Sequence, residues 1–163
     1  MWWKSTNPFW FSLVFCRNIL YNENDIVRKW GLPVLLPKTK TLWEHRAGDL
    51  VYYSFPAFDA IDGVRHGFST RLGGVSEGIF ASMNLSFTRG DDDKAVRENF
   101  DRFCAAIGVN AEDVVISAQT HTPNVKIVTA ADRGRGVTRE KEYTDVDGLI
   151  TNDPYVKINV ITL

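Results

Sequence analysis

The stretch Asp91-Asp92-Asp93-Lys94-Ala95-Val96-Arg97-Glu98-Asn99-Phe100-Asp101-Arg102-Phe103-Cys104-Ala105-Ala106-Ile107-Gly108 decides the reading of the fold. Three aspartates open it, where a carboxylate accepts from the free amides of a first helical turn and meets the positive end of the helix dipole. Behind them Val96, Phe100, Phe103, Cys104 and Ile107 recur at i, i+4, i+7, i+8 and i+11, which lines one face of an α-helix. Gly108 adopts left-handed backbone at no steric cost and ends the helix. Cys104, on the apolar face, reads as a small buried thiol and not as a nucleophile.

β-Rich runs flank this helix on both sides. Residues 51–55 and 64–69 read as two strands joined by a turn at Asp59-Ala60-Ile61-Asp62-Gly63. Residues 114–119 and 125–128 read as a hairpin, with His121 at its tip between Thr120 and Asn124. Residues 148–151 are a short apolar strand, Asn152-Asp153-Pro154 a turn, and residues 156–163 a strand alternating Val156, Ile158 and Val160. Between them lie two loops. Residues 71–84 carry Gly73, Gly74, Gly78 and Ser76, and such glycines let backbone approach a ligand or turn through positive φ. Residues 131–146 are rich in Arg and Lys but lack the GxxxxGK[ST] phosphate cradle, so they read as an exposed loop. The chain stops in a strand with no following element, which reads as a fold cut short.

With 163 residues, 44% of them hydrophobic and 24% charged, the chain reads as one globular domain or part of one. Nineteen basic against twenty acidic side chains leave a net charge of -1, so no basic field draws nucleic acid or an acidic membrane surface. Two cysteines, Cys16 and Cys104, make no disulfide framework, which suits a cytoplasmic, reducing compartment. Residues 1–40 differ from the rest: Trp2, Trp3, Phe9, Trp10, Phe11, Phe15 and Trp30 crowd a segment without clear period. It is expected to be a divergent extension, disordered or upstream of the true start, with Pro33 and Pro37 as a linker to residues 41–163. Its apolar run at residues 8–16 falls short of the roughly 20 residues that span a bilayer and is followed by no small-x-small cleavage site.

His66 and His121 stand at strand ends, where a rigid scaffold aims side chains at a substrate. Neither has a neighbour at metal-ligand spacing, so a metal would need distant partners such as His66, His121, Cys104 and an aspartate. A triad of Ser69 or Ser76, His121 and Asp145 can be written, but no GxSxG elbow supports it. Arg71, beside glycines that expose backbone N–H groups, reads either as an anion site or as a surface arginine in a turn.

The run His66-Gly67-Phe68-Ser69-Thr70-Arg71-Leu72-Gly73-Gly74-Val75-Ser76 is followed by Ser82-Met83-Asn84-Leu85, Gly90-Asp91-Asp92, Val96-Arg97-Glu98-Asn99, Gln119-Thr120-His121 and Asp145-Val146-Asp147-Gly148-Leu149-Ile150-Thr151-Asn152. In order and spacing these resemble the laccase-domain family, once called multicopper polyphenol oxidases and now regarded as purine nucleoside phosphorylases, over about residues 43–163. The resemblance implies an α+β fold, mixed β-sheets with outer helices. It implies zinc-dependent phosphorolysis of adenosine, inosine, guanosine and methylthioadenosine with inorganic phosphate as co-substrate, and adenosine deamination. His121 carries over as a zinc ligand, whereas the family's ADC and HAGW motifs, which bring the other two ligands, are absent. The resemblance implies Arg71 as the anion holder, Gln119 and Asn84 on purine or ribose edges, and His66 lining the pocket or satisfying a strand end. Bland alternatives stay open: an Asx turn for Asn84 and a strand-end hydrogen bond for Gln119. As partners it implies nucleosides and phosphate, neither nucleic acid nor membrane, and a complementary C-terminal chain if the enzyme is split. A non-catalytic fragment and copper-dependent phenol oxidation are the competing readings.

Overall fold

The computed structural model describes residues 11–17, 42–61 and 64–162. The predicted helix runs over Asp93–Ala106, here α2, with the Asp92 carboxylate accepting from the Lys94 amide at 3.2 Å and Gly108 at φ 74° beyond its end. Val96, Phe100, Phe103 and Cys104 are fully buried on its inner face, packing with Leu50, Met83, Leu85, Val114 and Ile116.

That face covers a seven-stranded sheet in the order β2-β3-β5-β1-β9-β6, with β4 pairing β1. The strands are β1 (Phe11–Arg17), β2 (Trp43–Ala47), β3 (Leu50–Ser54), β4 (Val64–Arg65), β5 (Phe68–Ser69), β6 (Val114–Ile116) and β9 (Lys157–Thr162). A separate two-stranded sheet joins β7 (Val125–Ile127) to β8 (Gly148–Ile150). The architecture is α+β as expected, with few helices against mixed sheets.

Four local readings change. The run at 114–119 and 125–128 is not a hairpin, because β6 pairs in parallel with β9 and β7 in parallel with β8. β6 is wholly buried whereas Val125 and Ile127 of β7 are exposed, and periodicity alone does not say which strand a run pairs with. Between the 51–55 and 64–69 strands the expected turn, closed by the Val64 amide donating to the Ile61 carbonyl at 3.2 Å, is preceded by α1 (Pro56–Asp59), started by a proline whose fixed φ suits the first helical position. The second of those runs splits at His66-Gly67 into β4, which pairs β1, and β5, which pairs β1 and β3. The 131–146 segment is exposed at 131, 138–140, 142 and 144 as expected but is tied down between them: Val137 is buried in the core, Lys141 Nζ donates to the Ser117 carbonyl (3.1 Å) and Tyr143 Oη to that of Ile116 (2.5 Å). Phe11–Arg17, in a region without evident strand period, forms a strand between β5 and β9. The remainder of residues 1–40, with Pro33 and Pro37, lies outside the described residues.

The Gly73-Gly74 pair has a definite reason. A Cβ on Gly73 would lie 2.2 Å from the Leu50 Cα and one on Gly74 2.0 Å from the Ser82 carbonyl oxygen. The close backbone approach that the glycines foretold is to the protein's own β3 and to residue 82.

Candidate functional site

After β6 the chain bridges Ala118 to Val146 and then makes an exposed loop over residues 119–124 before entering β7. Asp147, immediately before β8, holds that loop from inside. Its carboxylate accepts from three successive amides, Thr120 (2.9 Å), His121 (2.8 Å) and Thr122 (3.1 Å), and from the Thr122 hydroxyl (3.2 Å). Asp145 accepts from the hydroxyls of Thr120 and Thr122 and from Asn124 Nδ2 (2.7 Å). His121 (φ 64°) and Asp145 (φ 57°) both sit in left-handed backbone, which costs a residue with a Cβ about 1 kcal/mol or more. The carboxylate bonds offset that strain and fix an exposed imidazole on a rigid loop.

The Thr120 amide foremost, then those of Thr122 and His121, outweigh burial and hold the Asp147 carboxyl down at about 2. The hydroxyls of Thr120 and Thr122 likewise lower that of Asp145. A depressed folded-state pKa contributes stability above the unfolded value, roughly 3.9, and that contribution is lost as pH falls through the folded value. The amide resonances of Thr120, His121 and Thr122 should hold constant down to about pH 3 and then shift together about a midpoint near pH 2, where the folded state binds the proton, while the stability contribution is lost between about pH 4 and 2. In Asp147→Asn the low-pH transition should vanish.

The loop at 71–84 is braced from α2. Asn99 is fully buried on the helix's apolar stripe, and its Oδ1 accepts from the Val75 amide (2.8 Å). Its Nδ2 donates to Ser76 Oγ (2.9 Å) and to the carbonyls of Asn84 (2.9 Å) and Ser82 (3.1 Å). Asn84 makes an Asx turn, Oδ1 accepting from the Ser86 amide (3.1 Å) while Nδ2 donates to Asp91 (2.9 Å). Burial raises the Asp91 carboxyl, but hydrogen bonds from Asn84, Ser76 and the Asp92 amide take it below its usual value. Arg71 donates through Nε to the Ala81 carbonyl (3.0 Å) and through Nη2 to that of Ile79 (2.9 Å). The rest of its guanidinium is uncommitted among the described residues.

His66 lies elsewhere, buried at the β4–β5 break, with Nε2 accepting from the Phe55 amide at 2.7 Å and Nδ1 3.7 Å from Asp59. Burial pushes its pKa down. The amide donated to Nε2 also requires an unprotonated nitrogen there, so the ring is neutral with its proton on Nδ1. It lines a cavity of about 370 Å³ with His45, Tyr52, Ser54 and Asp59. Gln119 is exposed beside His121. Thus Gln119 and His121 share one loop, Arg71 and Asn84 another, and His66 belongs to neither.

A catalytic zinc takes about three protein ligands. Among the described residues no three His, Cys, Asp or Glu side chains come together to hold a metal ion. Cys104 cannot join one: it is fully buried on α2, and burial pushes its thiol up to about 12. The distant set of His66, His121, Cys104 and an aspartate is therefore not assembled, and the donors described here do not by themselves fit the metal. Sequence reasoning gave no role to Asn99 or Asp147, the two side chains that shape these loops. A polar residue inside the apolar stripe of α2 was the signal for the first, whereas nothing local marks the second.

The sequence profile of the family described as multi-copper polyphenol oxidoreductase laccase matches residues 65–162. The chain belongs to this family. A purine nucleoside phosphorylase of Mycobacterium bovis is 37% identical over 99 residues, 61% of this chain and 37% of that protein. The purine nucleoside phosphorylase YlmD of Geobacillus stearothermophilus is 35% identical over 88 residues, 53% of this chain and 32% of its own length. The crystal structure of that YlmD superposes with a TM-score of 0.60 at 30% identity, covering 74% of this chain and 44% of YlmD. That of the Bacillus licheniformis protein YfiH gives 0.61 at 25% identity, covering 72% and 43%. The chain therefore spans well under half the length of the laccase-family proteins it matches.

Proposed function

We propose that this chain carries the N-terminal part of a zinc-dependent purine nucleoside phosphorylase that acts in the cytoplasm. Its substrates are adenosine, inosine, guanosine and methylthioadenosine, with inorganic phosphate as co-substrate and adenosine deamination as a second activity. The observation that carries this reading is the loop on which Asp147 pins three consecutive amides and thereby presents an exposed His121. The names of the relatives support the same reaction class.

In phosphorolysis a phosphate oxygen bonds to the ribose C1′ as the glycosidic C–N bond breaks, and the electron pair leaves with the purine. The uncommitted N–H groups of Arg71 fit the phosphate. The exposed Gln119 amide, able both to donate and to accept, suits a purine or ribose edge. Asn84, its amide committed to the Asx turn and Asp91, acts by shaping the loop, and His66 by closing a strand end. His121 is one ligand of the zinc, and the others belong to the polypeptide by which the relatives exceed this chain.

Copper-dependent oxidation of phenols, which the family description names, needs several imidazoles around the metal. Of the three histidines, His66 Nε2 accepts the Phe55 amide and His45 Nε2 bonds Ser54 Oγ at 2.8 Å, which favours the nucleoside reading. Joined to the polypeptide that completes it, the chain should release hypoxanthine and ribose 1-phosphate from inosine only when phosphate is present. Copper-dependent phenol oxidation without hypoxanthine release would reverse the assignment.

A further inference from the structure

The cavity of about 370 Å³ beside His66 lies away from both loops of the proposed site, since no residue of 71–84 or 119–124 lines it. Its wall comes from β2, β3, α1 and β4 and from residues 105–108 at the C-terminal end of α2. Pockets of this size take small organic ligands when a few polar groups converge on a mostly apolar lining. Here the polar groups are fixed by their own bonds. Ser54, 2% exposed, has one hydroxyl proton, and the Asp59 carboxylate can only accept, so that proton goes to Asp59 Oδ2 at 2.5 Å. The Ser54 oxygen then accepts from His45 Nε2 at 2.8 Å. His45 stacks on Tyr52, its register partner on β3, with ring centroids 4.8 Å apart, and Tyr52 Oη donates to the Ala106 carbonyl at 3.2 Å.

Two opposite charges in this wall are left over. Asp59, its side chain 33% exposed, accepts the Ser54 hydroxyl and stands 3.7 Å from the neutral His66 ring, and no lysine or arginine pairs with it among the described residues. Arg65 is exposed, donates from Nη1 to the Val64 carbonyl at 3.3 Å, and meets no carboxylate among the described residues. Both line the one cavity without pairing with each other. A ligand with a single positive charge would gain from Asp59 and be repelled by Arg65, and one with a single negative charge would meet the reverse. A ligand that carries both charges gains a charge-assisted hydrogen bond at each end, the guanidinium taking a carboxylate on its fork. Val64, Ile107 and the Tyr52 ring offer apolar surface to the stem that joins the two ends.

We propose that this cavity is a binding site, separate from the nucleoside site, for a small aminocarboxylate zwitterion that sets its ammonium on Asp59 and its carboxylate on Arg65. The site lies wholly within residues 45–108, so it stands or falls independently of the phosphorylase reading.

The test titrates the 163-residue chain with β-alanine and γ-aminobutyrate, which differ in the separation of their charges, and follows the amide resonances. At least one should give saturable shifts centred on residues 64–66 and 105–108. Butylamine and butyrate, which keep one charge each, should bind at least about tenfold more weakly, as should the better zwitterion to Arg65→Gln. Asp59→Asn also disturbs Ser54, so the exposed Arg65 carries the test. Arg46→Gln, at an exposed arginine paired with Glu44 outside the cavity, should bind like the wild type. Absence of shifts with both zwitterions at about 50 mM, far above the roughly millimolar affinity open to so small a ligand, would overturn the proposal. So would butylamine or butyrate binding as tightly as the zwitterion, undiminished binding to Arg65→Gln, or shifts confined to residues 71–84 and 119–124.

Discussion

Asn99→Leu should destabilise the protein by about 3–5 kcal/mol, because the shape is nearly kept while the Val75 amide and the Asn84 carbonyl lose their partner, at about 1–3 kcal/mol each, the Ser82 carbonyl keeping the Ser76 amide. At roughly 2–4 °C per kcal/mol for a chain of this size, the melting temperature should fall by about 10 °C. The cost should concentrate in the loop that Asn99 ties to α2. Amide exchange at residues 75–84 should therefore accelerate more than in the strands. A variant melting within a few degrees of wild type would show that the network carries far less than its geometry implies.

His121→Ala should do the opposite. The side chain is exposed and only its backbone amide is bonded, so truncation removes little burial and stability should move by about 0.5 kcal/mol or less. Loss of the left-handed strain borne by a larger side chain is not part of this change, since alanine also carries a Cβ. In the completed enzyme, phosphorolysis of inosine should drop by at least about 100-fold, since even residues that merely orient metal ligands cost about 10–100-fold. Near-normal turnover would remove His121 from the site, and a large drop in melting temperature would make its role structural.

α2 was legible because its cap, its apolar spacing and Gly108 all agree, and the structure follows each of them. The pairing of 114–119 and 125–128 was not legible, because strand partners are set by long-range contacts with β8 and β9 that no local spacing encodes. His121 could be placed on an exposed loop from the sequence alone, but the reason the loop holds its shape could not. Asp147 lies 26 positions along the chain, and its three amide bonds exist only once β7 and β8 are side by side. Gly73 does turn through positive φ (83°), as its residue type allows, but that its backbone lies against β3 and that of Gly74 against residue 82 could not be read from local sequence.

Zinc content measured after dialysis against metal-free buffer is the most direct test that the chain supplies one ligand of a shared site. The 163-residue chain alone should keep far less than an equivalent of zinc, its complex with the completing polypeptide should keep close to a full equivalent, and the same complex with His121→Ala should keep little. A full equivalent held tightly by the chain alone, or kept undiminished by the His121→Ala complex, would contradict the account.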